Sequence, residues 1–198
     1  MSTYLDLVTK RLSQYHLGQE QKHSIEEIAN YLGQVANQAP SAMNIQATRL
    51  VLLSGEKHLE VWEHIYATQQ KIMSEKMFQW FTEVYNGAIS GIGTVLFFED
   101  RAIYKTLPNP NPEARQKIKM RNSAIVQYGT WLALTELGYG ASMQHNNLGY
   151  EEGFDRGIRE MLDLPDSWEL TAQMPFGSIE IPAVSKEKIS LTEQIRVL

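Results

Sequence analysis

Helices and strands alternate irregularly along one chain, and that pattern predicts an α+β or mixed α/β fold. Three stretches carry the prediction. Ser24-Ile25-Glu26-Glu27 reads as a capping box, and Ile25, Ile28, Ala29, Leu32, Val35 and Ala36 follow at helical spacing. Gly93-Thr94-Val95-Leu96-Phe97-Phe98 is apolar on both faces, as a central strand requires. Trp168, Leu170, Ala172, Met174 and Phe176 alternate strictly, the mark of a strand with one buried face.

In chain order, a first helix is expected from Thr3 to Leu12, with Leu5, Val8 and Leu12 on one side. The second ends at Pro40, because proline disfavours helical geometry in the residue before it. Thr48 to Leu53, closed by Ser54-Gly55, reads as a buried strand. Leu59, Trp62, Ile65 and Tyr66 suggest another helix, whereas periodicity does not settle Gln69 to Ser90. Pro108, Pro110 and Pro112 force a loop from Leu107 to Pro112. Ala114 to Leu137 is helical again. Ala124, Ile125, Tyr128, Trp131, Leu132, Ala133, Leu134 and Leu137 leave it little polar surface, so it reads as a buried helix capped by Gly138. Gly140 to Gln144 reads as a strand and Glu151 to Leu162 as a helix stopped by Pro165. The tail from Lys186 to Leu198 has no core of its own. Nothing divides the 198 residues, so one domain over 1–198 is expected.

Composition narrows the function. Hydrophobic residues make up 43% of the chain and charged residues 21%, the balance of an ordinary soluble globular protein. The net charge is -5 with no Lys and Arg stripe, which sets nucleic acid aside as a partner. The absence of cysteine removes disulfides, thiolate nucleophiles, Cys-ligated zinc and iron–sulfur clusters together. Any redox chemistry then belongs to a bound cofactor. The N-terminus lacks the basic-then-apolar order of a signal peptide, and no window approaches the ~18 apolar residues of a membrane span. A cytoplasmic protein without a membrane partner is the expectation.

The familiar chemical motifs are missing. Gly91-Ile92-Gly93 lacks the third glycine of a dinucleotide fingerprint and precedes a strand instead of opening a helix. There is no P-loop, no HExxH and no GxSxG elbow. His16, His23, His58, His64 and His145 are scattered, and each reads as a surface or locally hydrogen-bonded residue. No metal site and no obligatory catalytic side chain is assigned.

Two segments are unusual. Ala39-Pro40-Ser41-Ala42-Met43-Asn44-Ile45-Gln46 joins a helix to a strand with small and amide-bearing side chains. Such residues can approach a planar heterocycle and hydrogen-bond its edge, although Pro, Ser and Asn also make ordinary turns. Gly138-Tyr139-Gly140-Ala141-Ser142-Met143-Gln144-His145-Asn146-Asn147 offers two glycines for close backbone approach and then a polar run. Its plain alternative is a glycine-capped helix entering a strand and a polar loop.

Together and in order these segments resemble the nitroreductase family, and within it the short branch named after the fatty-acid-repression-mutant protein of yeast. Arg11-Leu12-Ser13-Gln14-Tyr15-His16-Leu17-Gly18 is similar to the family's Arg-Arg-Ser opening, and Ala39 to Arg49 to its Ala-Pro-Ser block. Gly93 to Asp100 resembles the branch's central strand, while Gly138 to Asn146 and Ala172 to Gly177 complete the match. Two departures stand out. Leu12 replaces the second basic residue, and Asn146-Asn147 stands where the branch has an aromatic residue followed by Asn-Pro.

The resemblance implies an α+β three-layer sandwich, with a central mixed, mostly antiparallel sheet flanked by helices. It also implies an interlocked homodimer with a C-terminal extension reaching the partner and FMN in the interface. By position, Arg11 and one of Lys186 or Lys188 would hold the phosphate, and Ser13 would donate to a phosphate or ribityl oxygen. Pro40, Ser41, Ala42 and Asn44 would line the ring. Gln46 would either join them or fix the loop. Backbone around Met143, Gln144 and His145 would meet the ring near its reactive nitrogen. The implied activity is hydride transfer from NADH or NADPH, through the flavin, to a small nitroaromatic or quinone-type acceptor. The alternative is a flavin-binding regulatory protein with little turnover, linked to lipid or stress signalling.

Overall fold

The computed structural model describes residues 3–108, 111–146 and 155–198. The element order is α1 (Tyr4–Lys10), β1 (Leu17–Gly18), α2 (Ile25–Gln38), β2 (Thr48–Ser54), α3 (Gly55–Ile72), α4 (Glu75–Ile89), β3 (Gly93–Asp100), α5 (Arg101–Tyr104), α6 (Pro112–Glu136), β4 (Gly140–Ala141), α7 (Arg156–Met161), β5 (Trp168–Ile179) and α8 (Leu191–Gln194).

Local side-chain chemistry sets the starts of α1, α2 and α6. Ser24 and Glu27 form the expected reciprocal cap of α2, and Ala39 leaves the helix in extended geometry ahead of Pro40. Thr3 and Asp6 cap α1 in the same way, and Arg11 already departs from helical geometry, so α1 stops short of Leu12. Asn111 accepts the Glu113 and Ala114 N–H groups at the head of α6. Pro112 therefore begins that helix instead of closing the expected loop, since a first-turn proline has no N–H to waste. Asn109 and Pro110 lie outside the described residues. At the other end Leu137 is the cap, and Gly138 follows it at φ +84°. The Gly138 N–H then reaches Thr135 O, and the Tyr139 N–H reaches Leu134 O, which closes the helix in a Schellman motif.

The sheet has the order β1-β5-β3-β2, with β4 also on β5. Every ladder is antiparallel, and one parallel bridge, Ser13 with Ala141, makes the sheet mixed. Side chains of β3 alternate between two cores because successive residues of a strand point to opposite faces. Val95 and Phe97 join Ile28 and Leu32 of α2 and Val126 and Leu134 of α6 on one face. Leu96 and Phe98 join Trp62 and Ile65 of α3, Phe81 and Val84 of α4 and Ile158 of α7 on the other. The result is the expected three-layer α+β sandwich.

Three polar side chains in the second core are paired around one hydroxyl. The Trp62 indole donates to Thr94 Oγ1 at 2.8 Å, and His58 lies 3.0 Å from the same hydroxyl and 3.1 Å from Ala88 O. Burial pushes the His58 imidazole pKa down. This histidine is locally hydrogen-bonded, as expected of an isolated one.

Several expectations needed correction. β2 is half-buried instead of buried, because it ends the sheet and pairs with β3 alone. β5 is buried on both faces from Ala172 to Gly177, since helices cover both sides of the sheet there. Its alternation reflects polar Gln173 turned inward, not a solvent-facing edge. The strand expected over Gly140 to Gln144 shrinks to β4 and an isolated bridge between Gln144 and Gln173. The unsettled stretch from Gln69 to Ser90 contains the end of α3 and α4. For the helix expected from Glu151, the described part is α7, and residues 151–154 fall outside the description.

α6 meets its expected role only in part: Leu132, Ala133 and Leu134 are buried as expected, but the earlier turns differ. Its buried positions include the polar Lys119, Asn122, Ser123 and Thr130. Met120, Ala124, Ile125 and Tyr128, spaced along one side, face outward. Hydrophobicity alone could not reveal which side of this helix faces the sheet.

Candidate functional site

Arg11 sits at the end of α1, and its guanidinium carbon lies 4.2 Å from the centre of the Trp131 ring on α6. Stacking engages the face of a guanidinium and leaves its in-plane N–H donors free for an anion. Among the described residues no carboxylate pairs with Arg11. Two residues on, Ser13 is held beside Ala141 by the parallel bridge, and the Gln14 N–H donates to Ala141 O at 3.0 Å. The fold thus brings the Arg11–Ser13 segment to the start of the Ala141–Asn146 run.

That run is tied to β5. Gln144 and Gln173 exchange backbone hydrogen bonds of 2.8 and 2.9 Å. Gln144 Nε2 donates to Ser142 Oγ at 3.1 Å, and the Asn146 N–H donates to Gln173 Oε1 at 2.9 Å. Met143 packs against the α2–α6 core, while His145 is exposed. Asn146 Nδ2 and Gln173 Nε2 are buried without an acceptor among the described residues. Buried donors without acceptors are costly. Asn147 lies outside the described residues.

The Ser41–Gln46 segment is a tight turn with unusual backbone. Met43, Asn44 and Gln46 all have positive φ, at 55°, 52° and 47°. Asparagine tolerates this region, but methionine and glutamine do so at a cost of roughly 1–3 kcal/mol each. Local bonds hold the shape. The Asn44 N–H reaches Ser41 O at 2.9 Å, the Gln46 N–H reaches Ser41 Oγ at 3.1 Å, and Gln46 Nε2 reaches Asn44 Oδ1 at 3.0 Å. Gln46 thus braces the turn. Pro40, Ala42, Met43 and Asn44 are exposed.

Lys186 lines a cleft of about 900 Å³ with Tyr15, His16, Trp80, Glu83 and Glu180, and Lys188 is exposed on the tail. Within the described residues, no hydrogen bond or ion pair joins the Ser41–Gln46 turn to Arg11, Ser13, Met143–His145 or the tail lysines. Three participants escaped the sequence reading: Trp131 beneath Arg11, Asn122 behind Ala42, and Gln173 beside Gln144. For Asn122 and Gln173 the available signal was an amide inside an otherwise apolar pattern.

Comparison with known proteins agrees with the fold and the sequence blocks. The chain is 28% identical over 196 residues to HBN1 of Saccharomyces cerevisiae, covering 96% of this chain and 94% of that protein. It is 25% identical over 200 residues to nitroreductase FRM2 of the same yeast, covering 98% and 96%. Nitroreductase CinD of Lactococcus lactis, solved with chloramphenicol, superposes with a TM-score of 0.84 at 29% identity, over 99% of this chain and 100% of that one. A nitroreductase of Desulfitobacterium hafniense with bound FMN shares the fold, with a TM-score of 0.76 at 17% identity, over 100% and 99% of the two chains. The model of the Nitroreductase family matches residues 10–178, and the chain belongs to that family of oxidoreductases.

Proposed function

We propose that this chain is an FMN-dependent oxidoreductase that uses NADH or NADPH to reduce nitroaromatic or quinone-type acceptors, and that it works as a homodimer. The observation that carries the reading is Arg11, a cation stacked on Trp131 with no carboxylate partner among the described residues. An arginine so held is a receptor awaiting an anion.

The donor set fits FMN part by part. Arg11 suits the phosphate with two parallel N–H bonds, and Lys186 or Lys188 adds a second cation. The Ser13 hydroxyl suits a phosphate or ribityl oxygen. Pro40, Ser41, Ala42 and Asn44 offer small and amide groups to the ring, while Gln46 keeps their turn in shape. The backbone of Met143, Gln144 and His145 serves the ring's reactive edge, and the unsatisfied amides of Asn146 and Gln173 are further donors next to it.

A subunit interface lets these groups converge, since one chain leaves the Ser41–Gln46 turn and Arg11 unbridged. The outward apolar side of α6 and the exposed tail residues Ile189, Leu191, Ile195 and Val197 are surfaces that a second copy would cover. Bound FMN supplies the two-electron chemistry, and the chain supplies position, electrostatics and exclusion of water. No side chain is assigned a proton-transfer step. The solved complexes of CinD with chloramphenicol and with 4-nitrophenol support a nitroaromatic acceptor class.

Absorbance of the purified protein tests the cofactor directly. It should be yellow with about one FMN per subunit, bleach anaerobically with NADH or NADPH, and recover with a quinone. A colourless protein that also ignores added FMN in a fluorescence titration would end this reading.

A further inference from the structure

Behind the Ser41–Gln46 turn runs a buried file of polar groups. The Ala42 N–H donates to Asn122 Oδ1 at 3.1 Å, and Asn122 Nδ2 donates to the Tyr104 hydroxyl at 3.3 Å. Tyr104 donates to Glu99 Oε2 at 2.6 Å, and Thr48 donates to Glu99 Oε1 at 2.7 Å. Glu99, Asn122 and Tyr104 are 0%, 3% and 5% exposed. They come from β3, α6 and α5, so three elements meet behind one turn.

The file has a direction. Glu99 accepts from both hydroxyls, which commits the Tyr104 proton to the carboxylate. The phenol oxygen is then left to accept, so the amide of Asn122 must present its NH2 to Tyr104 and its carbonyl to Ala42. A flipped amide would set two donors against each other at Ala42 and two acceptors against each other at Tyr104. Glu99 and Tyr104 thereby fix which atom Asn122 shows to the turn.

We propose that Asn122 is a positioning residue for the flavin site. It holds the Ser41–Gln46 turn from behind, through the Ala42 N–H, in the positive-φ shape that presents Ser41 and Asn44. The bonds among Ser41, Asn44 and Gln46 are internal to the turn, whereas the Ala42–Asn122 bond ties it to the core. The proposal rests on the reading of this turn as part of the flavin site, and its test separates the two.

The variants are Asn122→Leu, which removes the acceptor at similar size, and Tyr104→Phe, which removes only the hydroxyl that orients it. The first readout is amide hydrogen exchange at Ala42 in the apoprotein, which needs no flavin. Exchange should speed at least about tenfold in Asn122→Leu. The second is titration of apoprotein with FMN and with riboflavin. Both Kd values should rise by a similar factor, about tenfold, because the turn serves the ring that the two flavins share. The visible circular dichroism of the bound flavin should change as well. Should Asn122→Leu fail to fold, Tyr104→Phe decides, with the same direction and a smaller size. Parental exchange at Ala42 overturns the tie. Faster exchange with parental Kd values and parental dichroism overturns the positioning role. A parent that binds neither flavin overturns the flavin reading and with it the proposed role, while the exchange data still decide the tie.

Discussion

The Arg11 guanidinium carbon lies over the Trp131 ring, 4.2 Å from its centre, although 120 residues of sequence separate the two. A cation–π contact of this kind contributes roughly 0.5–2 kcal/mol and restricts a side chain that otherwise samples many rotamers. The in-plane donors are then aimed before an anion arrives. Arg11→Ala should therefore weaken FMN binding by about ten- to a hundredfold, or roughly 1.5–3 kcal/mol, and leave riboflavin nearly unaffected. Parallel titrations of apoprotein with the two flavins check this. Equal losses for both would assign Arg11 to the shape of the site and not to the phosphate. The contrast with Asn122→Leu, expected to weaken both flavins alike, makes the pair of variants diagnostic.

Ile125 is 42% exposed and Met120 62% exposed on the outward side of α6. Water should not face that stripe in the working protein. Light scattering should give twice the 22.6 kDa of one chain, and Ile125→Lys should shift the protein toward the monomer with its circular dichroism intact. The flavin should be lost along with the partner. A folded monomeric variant that keeps its flavin would place the site within one subunit.

Phe97 is fully buried on β3 among Ile28, Leu134 and Phe176. Phe97→Ala removes its ring from the core that joins the sheet to α2 and α6. The expected loss is about 3–5 kcal/mol of stability, read from the denaturant midpoint at unchanged slope. A loss below about 1 kcal/mol would mean that this core collapses easily around the gap.

Burial pushes the Glu99 carboxyl above its ordinary range, against the opposing hydroxyls of Tyr104, Thr48 and Ser123 and the Lys119 charge. The folded state then holds this proton more tightly than the unfolded chain does. Its contribution is full below the unfolded pKa and is lost as pH rises through the folded one. Glu99→Gln stays neutral and escapes that loss. Its Tm relative to the parent should therefore climb as the pH is raised from about 4 to about 7. A difference that shrinks over this range would mean that the paired hydroxyls and Lys119 outweigh desolvation.

The sequence by itself determined those features that arise within a few residues of one another. Ser24 and Glu27 stand three apart, so the cap of α2 is a local matter. Val95 to Phe98 is apolar on both faces, as a strand inside a sheet covered on both sides requires. The blocks Arg11–Gly18, Ala39–Arg49, Gly93–Asp100, Gly138–Asn146 and Ala172–Gly177, taken together and in order, pointed to the family. Tertiary structure decided the rest. Gln173 looks solvent-facing by alternation, yet it is fully buried because helices cover both faces of β5. α6 mixes polar and apolar residues in its first half and is apolar almost all round in its second, so only packing against the sheet could turn Asn122 inward and Ile125 outward. The partners of Arg11 and Ala42, Trp131 and Asn122, stand 120 and 80 residues away. Caps and periods are set by bonds the chain makes with its own neighbours, whereas the support of a site is set by which distant surfaces the closed sandwich presses together.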